Sequence, residues 1–164
     1  MSCVFVQEAC KAPAEVKEFA FDLTRRLERR WQARGFYSNG QRIRPERKRA
    51  GFEYEAGGDG QTGLKEPSFP DTLGATVGDG SITWTCRAIS NSSLSKTIAN
   101  VAWTVPAGLT HDDDALNNTG GRQEISVTLS GGTAGESYLV VALVTYSDGT
   151  RDEIGLQLEV EAAG

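Results

Sequence analysis

The sequence predicts a mainly β chain: an immunoglobulin-like β-sandwich carrying an inserted small, loop-rich β lobe and one short helix. Three observations carry this expectation. Apolar residues alternate with polar ones at 124–129 (EISVTL) and 154–160, the two-residue period of strands that bury one face. Turn signals separate such runs, SGGTAGE at 130–136 and SDGT at 147–150, the second being a two-residue hairpin signature. Nineteen of the 164 residues are Gly, well above the usual share of about 7%, as tight turns between short strands require.

The elements follow in order. Phe19, Phe21 and Leu23 alternate with Glu18, Ala20 and Asp22, which predicts a strand over 16–23. Leu23, Leu27 and Trp31 then fall at i, i+4 and i+8, which predicts a helix over 24–33 stopped by Gly35. Ser38-Asn39-Gly40 predicts a tight bend, and 44–49 is a basic, proline-containing loop. A strand is expected at 52–55 and another at 81–87, with Ile82, Trp84 and Cys86 on one face. Between these lies a loop, 57–80, with seven Gly and two Pro. Residues 90–95 (SNSSLS) are small and polar and predict a linker. Strands at 98–105, 124–129, 137–146 and 154–160 complete the sandwich pattern. The organisation expected is a split sandwich, 1–24 with 89–164, and an inserted basic, Gly/Pro-rich lobe at 25–88.

The net charge of −5 conceals a strong asymmetry. Residues 25–49 carry ten basic side chains (Arg25, Arg26, Arg29, Arg30, Arg34, Arg42, Arg44, Arg47, Lys48 and Arg49) against only Glu28 and Glu46. Residues 57–164 carry five basic and fourteen acidic ones. A chain polarised in this way can dock its basic end on an acidic surface, including that of a neighbouring copy. The apolar stretch at 139–143 is far short of the roughly 18 residues of a membrane span, so no membrane partner is expected. The opening MSCVFVQEACK has neither a basic lead nor a long apolar stretch, and no secretory leader is expected. Cys3, Cys10 and Cys86 match no common zinc spacing; Cys86 closes an alternating run and is expected in the core.

Chemical motifs are weak throughout. Gly58-Asp59-Gly60-Gln61-Thr62-Gly63 satisfies G-x-G-x-x-G, but Pro67 argues against the helix that a dinucleotide site needs behind it. His111, the only histidine, precedes Asp112, Asp113 and Asp114; side chains on consecutive residues diverge, and a solvated loop is the expected reading. No nucleophile elbow, HExxH or phosphate-binding loop occurs, so neither catalytic residue, metal nor cofactor is expected. Trp31, Phe36 and Tyr37 among the arginines could serve phosphates and bases, although an acidic protein partner is the stronger reading. Trp31, Trp84, Trp103 and the tyrosines could form a sugar-stacking platform, yet Trp84 and Trp103 lie in alternating strands and are expected to pack inward.

Two parts of the chain resemble tailed-bacteriophage virion proteins. One is a cassette of the form W-x-A…Y-x-x-G…P…G-F-x-Y…G-x-x-E-P-x-F-P…G-x-x-V-x-D-G-x-I-x-W-x-C. It is met by Trp31, Ala33, Tyr37, Gly40, Pro45, Gly51, Tyr54, Gly63, Glu66, Pro67, Pro70, Gly74, Val77, Asp79, Gly80, Trp84 and Cys86, with Phe69 where a tryptophan is usual. The other is split: Lys11-Ala12-Pro13-Ala14-Glu15-Val16, then Ile98, Trp103, Pro106 and Gly108-Leu109, then LSGGTAG at 129–135 with Tyr138, Thr145 and Ser147-Asp148-Gly149. This part resembles phage fibre–tail adaptor and neck (head–tail connector) proteins, with the cassette inserted between its halves. The resemblance implies a non-enzymatic virion structural protein, made in the bacterial host cytoplasm and present in many copies around a symmetric axis. Its implied partners are portal or connector, tail or fibre subunits, with nucleic acid a lesser expectation. The contact residues expected are Arg25, Arg26, Arg29, Arg30, Arg42, Arg44, Arg47, Lys48, Arg49 and Phe69. A carbohydrate-binding module using Trp31 is the alternative.

Overall fold

A computed structural model describes residues 4–47 and 51–162; Cys3, Lys48 and Arg49 lie outside them. The chain is mainly β. In order come β1 (Val4–Lys11), β2 (Lys17–Asp22), a one-turn helix α1 (Thr24–Leu27), β3 (Phe36–Tyr37), β4 (Arg42–Ile43), β5 (Phe52–Ala56), β6 (Gly60–Gln61), β7 (Thr76–Asp79) and β8 (Ile82–Ala88). A 3₁₀ turn (Asn91–Ser93) follows, then β9 (Ile98–Thr104), β10 (Leu109–Asn117), β11 (Glu124–Gly131), β12 (Ser137–Tyr146) and β13 (Arg151–Val160). Contacts divide the described residues into two compact units.

The first unit comprises the described residues of 1–23, 96–118 and 123–164. It holds a four-stranded sheet in the order β1-β13-β12-β9 and a three-stranded sheet in the order β10-β11-β2. Alternation along the strands sends Val140, Ala142, Val144 and Tyr146 of β12 inward, with Ile154, Leu156, Leu158 and Val160 of β13 and Ile125, Val127 and Leu129 of β11. Phe21 of β2 and Trp103 of β9 meet with ring centroids 6.2 Å apart. At roughly 25 cal/mol per Å² of apolar surface removed from water, these inward rows supply the unit's main driving force.

Two strands of this unit differ from expectation. β1 pairs in parallel with β13, from Val4 opposite Glu153 to Lys11 opposite Val160. Its partner lies at the far end of the sequence, so no hairpin signal marks it. The stretch expected to be a solvated loop around His111 is β10, an edge strand on β11. The register shifts between Asp112 and Ala115, and Asp113 adopts φ +50°. A charged bulge of this kind twists and blunts an open edge.

The second unit comprises the described residues of 24–95 together with Thr119–Arg122. It holds a sheet in the order β4-β5-β8-β7 and the short ribbon β3-β6. Its core is Trp31, Tyr37, Ile43, Tyr54, Ala56, Phe69, Ile82, Trp84 and Cys86. The helix expected over 24–33 stops after one turn. The Arg29 amide donates to the Ser93 carbonyl at 2.7 Å and the Trp31 amide to the Arg44 carbonyl at 2.9 Å. A single helical turn cannot sustain itself, and these outside acceptors draw the chain into extended bridges. Leu27 and Trp31 are both buried all the same, which is why their spacing imitated a helix. The expected linker is likewise folded in: Ser90 caps the 3₁₀ turn, Ser93 and Leu94 are buried, and the Ser95 amide donates to the Leu27 carbonyl at 2.7 Å.

Gln123 is fully buried in the first unit and joins two distant points of the chain. Its backbone carbonyl accepts from the Leu23 amide at 2.8 Å, and its side-chain Oε1 accepts from the Ile98 amide at 2.7 Å. Gln123→Ala leaves the Ile98 N–H without that acceptor and is expected to cost about 1–3 kcal/mol, read as a lower urea midpoint with an unchanged slope.

Candidate functional site

The second unit is organised around one carboxylate. Asp79 ends β7 and is 6% exposed. Its Oδ2 accepts from the indole Nε1 of Trp31 at 2.7 Å and of Trp84 at 3.0 Å, and its Oδ1 accepts from the Gly63 amide at 2.8 Å. Gly80 follows with φ +60°, and a Cβ there would overlap the Gln61 carbonyl and the Gly63 amide. Only glycine permits this close approach. Thr62, also buried, accepts from the Gly35 amide at 2.8 Å and donates to the Gln32 carbonyl at 2.5 Å.

Two tyrosines brace the same core. Tyr37 Oη accepts from the Gln32 amide and donates to the Arg30 carbonyl, both at 3.0 Å, with its ring edge-on to Trp84 at 5.2 Å. Burial pushes its phenol above the ordinary value of 10.0. Tyr54 Oη donates to the Pro70 carbonyl at 2.7 Å, and its ring lies 4.4 Å from that of Phe69. Burial, with Cys86 beside it, raises this phenol further.

The basic residues divide by what they touch. Arg44 is buried and donates to Ser93 Oγ (2.9 Å), Glu28 Oε1 (3.1 Å) and the carbonyls of Ser90 (3.3 Å) and Gly121 (2.9 Å). It stitches three separate stretches of the unit together. Phe69 is 4% exposed and packs inside. Arg29, Arg30 and Arg42 are half-buried: Arg29 donates to the Arg42 carbonyl at 3.0 Å, Arg30 to Glu28 at 3.3 Å, and Arg42 to Glu55 at 2.8 Å. Arg87 and Arg42 together hold the Glu55 carboxyl below the ordinary carboxylate range. Arg25, Arg26 and Arg47 are exposed. Lys48 and Arg49 lie outside the described residues.

A groove of about 300 Å³ runs past Arg29, Arg30, Gln32, Phe36, Tyr37 and Gln41. A smaller one, about 180 Å³, is lined by Arg47, Glu66, Pro67, Ser68 and Phe69. The most exposed large apolar side chain of the described residues is Phe36, at 79%, with Leu64 at 67%. Sequence reasoning named Phe36 only as a base-stacking aromatic and Leu64 only as part of the loop 57–80. Phe36 carried a signal, an aromatic placed beside a glycine and among cations; Leu64, inside a turn-rich loop, carried none.

Trp31 and Trp84 offer no open ring face, being 8% and 0% exposed. In the first unit His111 Nδ1 lies 2.9 Å from Asp114 Oδ1. Among the described residues no group of three His, Cys, Asp or Glu is placed to hold a metal ion, and no helix is long and apolar enough to cross a membrane. Cys10 is exposed and Cys86 buried.

Residues 75–159 match the protein-family model described as "Podophage GP4 fiber-tail adaptor protein gp77", which spans β7 through nearly all of β13. No curated protein and no solved structure matches the chain.

Two outcomes follow from the core. Asp79→Asn keeps one acceptor but turns an NH₂ towards groups that themselves donate, and is expected to destabilise by about 2–3 kcal/mol. Urea unfolding followed by tryptophan emission reads both the loss and the altered indole environment. Tyr54 holds its proton in the fold at a pH where the unfolded phenol, near 10.0, releases it. Stability is therefore lost as pH rises past about 10, and Tyr54→Phe is expected to flatten this alkaline limb in a pH series of thermal melts.

Proposed function

The chain belongs to the podophage GP4 fiber-tail adaptor family, and on that premise we propose that it is a non-enzymatic virion protein joining tail and fibre components through protein–protein contacts. The observation that carries this reading is the family match over 75–159, more than half of the 164 residues. The neck, against portal or connector, is the second place in the particle that such an adaptor suits.

The build of the chain supports the reading. We read the first unit as an immunoglobulin-like sandwich: a three-stranded and a four-stranded sheet, with the opening strand running parallel to the closing one. Such a frame is stable without bound groups and presents strand edges and end loops. Its segments hold four Lys and Arg against fourteen Asp and Glu, a formal −10, whereas those of the second unit hold thirteen against eight, +5. Opposite charge on two compact units suits a bridge between two different partners, since electrostatic complementarity fixes register and discourages wrong pairings. Repetition around a symmetry axis lets modest single contacts sum to a durable joint.

Particles produced without this chain are expected to lack fibres in negative-stain micrographs, and added purified chain is expected to restore them. Fibres retained at normal occupancy on chain-free particles sink the reading.

A further inference from the structure

We propose that the docking point of the second unit is the tip formed by Arg34, Phe36, Leu64 and Lys65, and that it takes a protein surface with an apolar socket rimmed by carboxylates. This rests on the adaptor reading and names the contact within it.

The tip is built from two chain segments. The Arg34 amide donates to the Gly63 carbonyl at 3.0 Å, Phe36 stands opposite Gln61 in the β3-β6 ribbon, and Gln61 Nε2 donates to the Arg34 carbonyl at 3.0 Å. Phe36 and Leu64 are 79% and 67% exposed, and Arg34 and Lys65 are exposed beside them. Their support is rigid: Gly63 is held by the buried Asp79, and Thr62 binds both Gly35 and Gln32. A fixed frame spares docking the ordering of backbone and leaves only the side chains to be immobilised.

Arg34 adds an independent observation. The Gly35 amide donates to the Gln32 carbonyl at 3.2 Å, closing a four-residue turn in which Arg34 holds the third place with φ +54°. Turns of this geometry favour Gly or Asn there, and a long side chain in the left-handed region is strained. The surrounding hydrogen bonds hold this strain in place at an exposed cation, which points to a role for that cation.

Charge then selects the partner. Nearby carboxylates are turned to backbone amides rather than to the tip: Glu66 Oε1 accepts from Glu46 and Asp59 Oδ1 from Asn39, both at 2.7 Å. Arg34 and Lys65 are thus left to face outward beside two apolar groups. Nucleic acid would use Phe36 for stacking and the cations for phosphate, but an aliphatic Leu64 gains nothing there. An acidic-rimmed apolar socket uses all four.

The test uses the full-length chain and particles produced without it, with binding read by co-sedimentation across a concentration series. Phe36→Asp and Leu64→Asp are expected to weaken binding about ten-fold or more, with unchanged circular dichroism. Arg34→Gly is expected to keep or raise the melting temperature while weakening binding several-fold, a split that a purely structural role would not give. A photo-crosslinker replacing Phe36 is expected to capture an Asp- and Glu-rich segment of another virion protein. Binding by Phe36→Asp equal to that of the unaltered chain overturns the tip and leaves the adaptor reading standing; failure of the unaltered chain to bind overturns both. Binding abolished by nuclease, or a Phe36-dependent self-association in ultracentrifugation without particles, assigns the tip to nucleic acid or to a second copy and overturns the proposed occupant.

Discussion

The three hydrogen bonds received by Asp79 are the constraint on which the second unit depends. A buried carboxylate is costly to desolvate unless its lone pairs are filled. Here two indoles and one backbone amide fill them, as charge-assisted bonds of the stronger class. The donors come from three places: Trp31 after the helical turn, Trp84 in β8 and Gly63 in the long loop. Beside the longer pairings of β5, β8 and β7, the two-residue strands β3, β4 and β6 supply few ladder bonds, so the stretches that carry them need ties outside the sheets. The carboxylate does what longer strands would otherwise do. It also fixes the indoles as structural groups, so their burial tells against a sugar platform more directly than composition can.

Arg44 plays the complementary part with the opposite charge. Its four acceptors lie on Glu28, Ser90, Ser93 and Gly121, which only a planar fork of donors can serve together. A basic composition is therefore not the same as a basic surface. The cluster 25–49 reads as a uniform cationic stretch, yet Arg44 is consumed inside, and Arg29 and Arg42 are half-consumed by carbonyls and carboxylates. What reaches solvent is a smaller set, with the cation at Arg34 held in a strained turn.

These distinctions explain what could be read in advance. β11, β12 and β13 were legible because each buries one face beside turn residues, and β9 because its apolar run ends at Pro106. β1 was not, because a parallel edge strand takes its partner from 150 residues away, and β10 was not, because its charges resemble a loop and serve an exposed edge. Leu27 and Trp31 suggested a helix because burial four residues apart looks the same whether a helix or two bridges produce it. Residues 90–95 suggested a linker because composition does not reveal that Ser90 caps a turn and Ser93 binds a guanidinium. Phe69 was expected at a contact, yet a ring 4.4 Å from that of Tyr54 and 4% exposed is a core residue, and that proximity is invisible in sequence. The outward aromatic is Phe36, distinguished from Phe69 by backbone pairing rather than by residue type.

The manner of insertion has a physical basis in Gln123. The chain leaves the first unit after Leu23 and re-enters it at Lys96. The amides of Leu23 and Ile98, which flank this excursion, both land on Gln123. One buried residue thus closes the gap that more than seventy inserted residues would otherwise open between β2 and β9. Closing a loop of that length costs entropy that grows only slowly with its size, and the two bonds on Gln123 offset part of it. The first unit keeps its two sheets together across the excursion by these bonds. An adaptor is served by such a frame, because its closure rests on Gln123 within the frame itself.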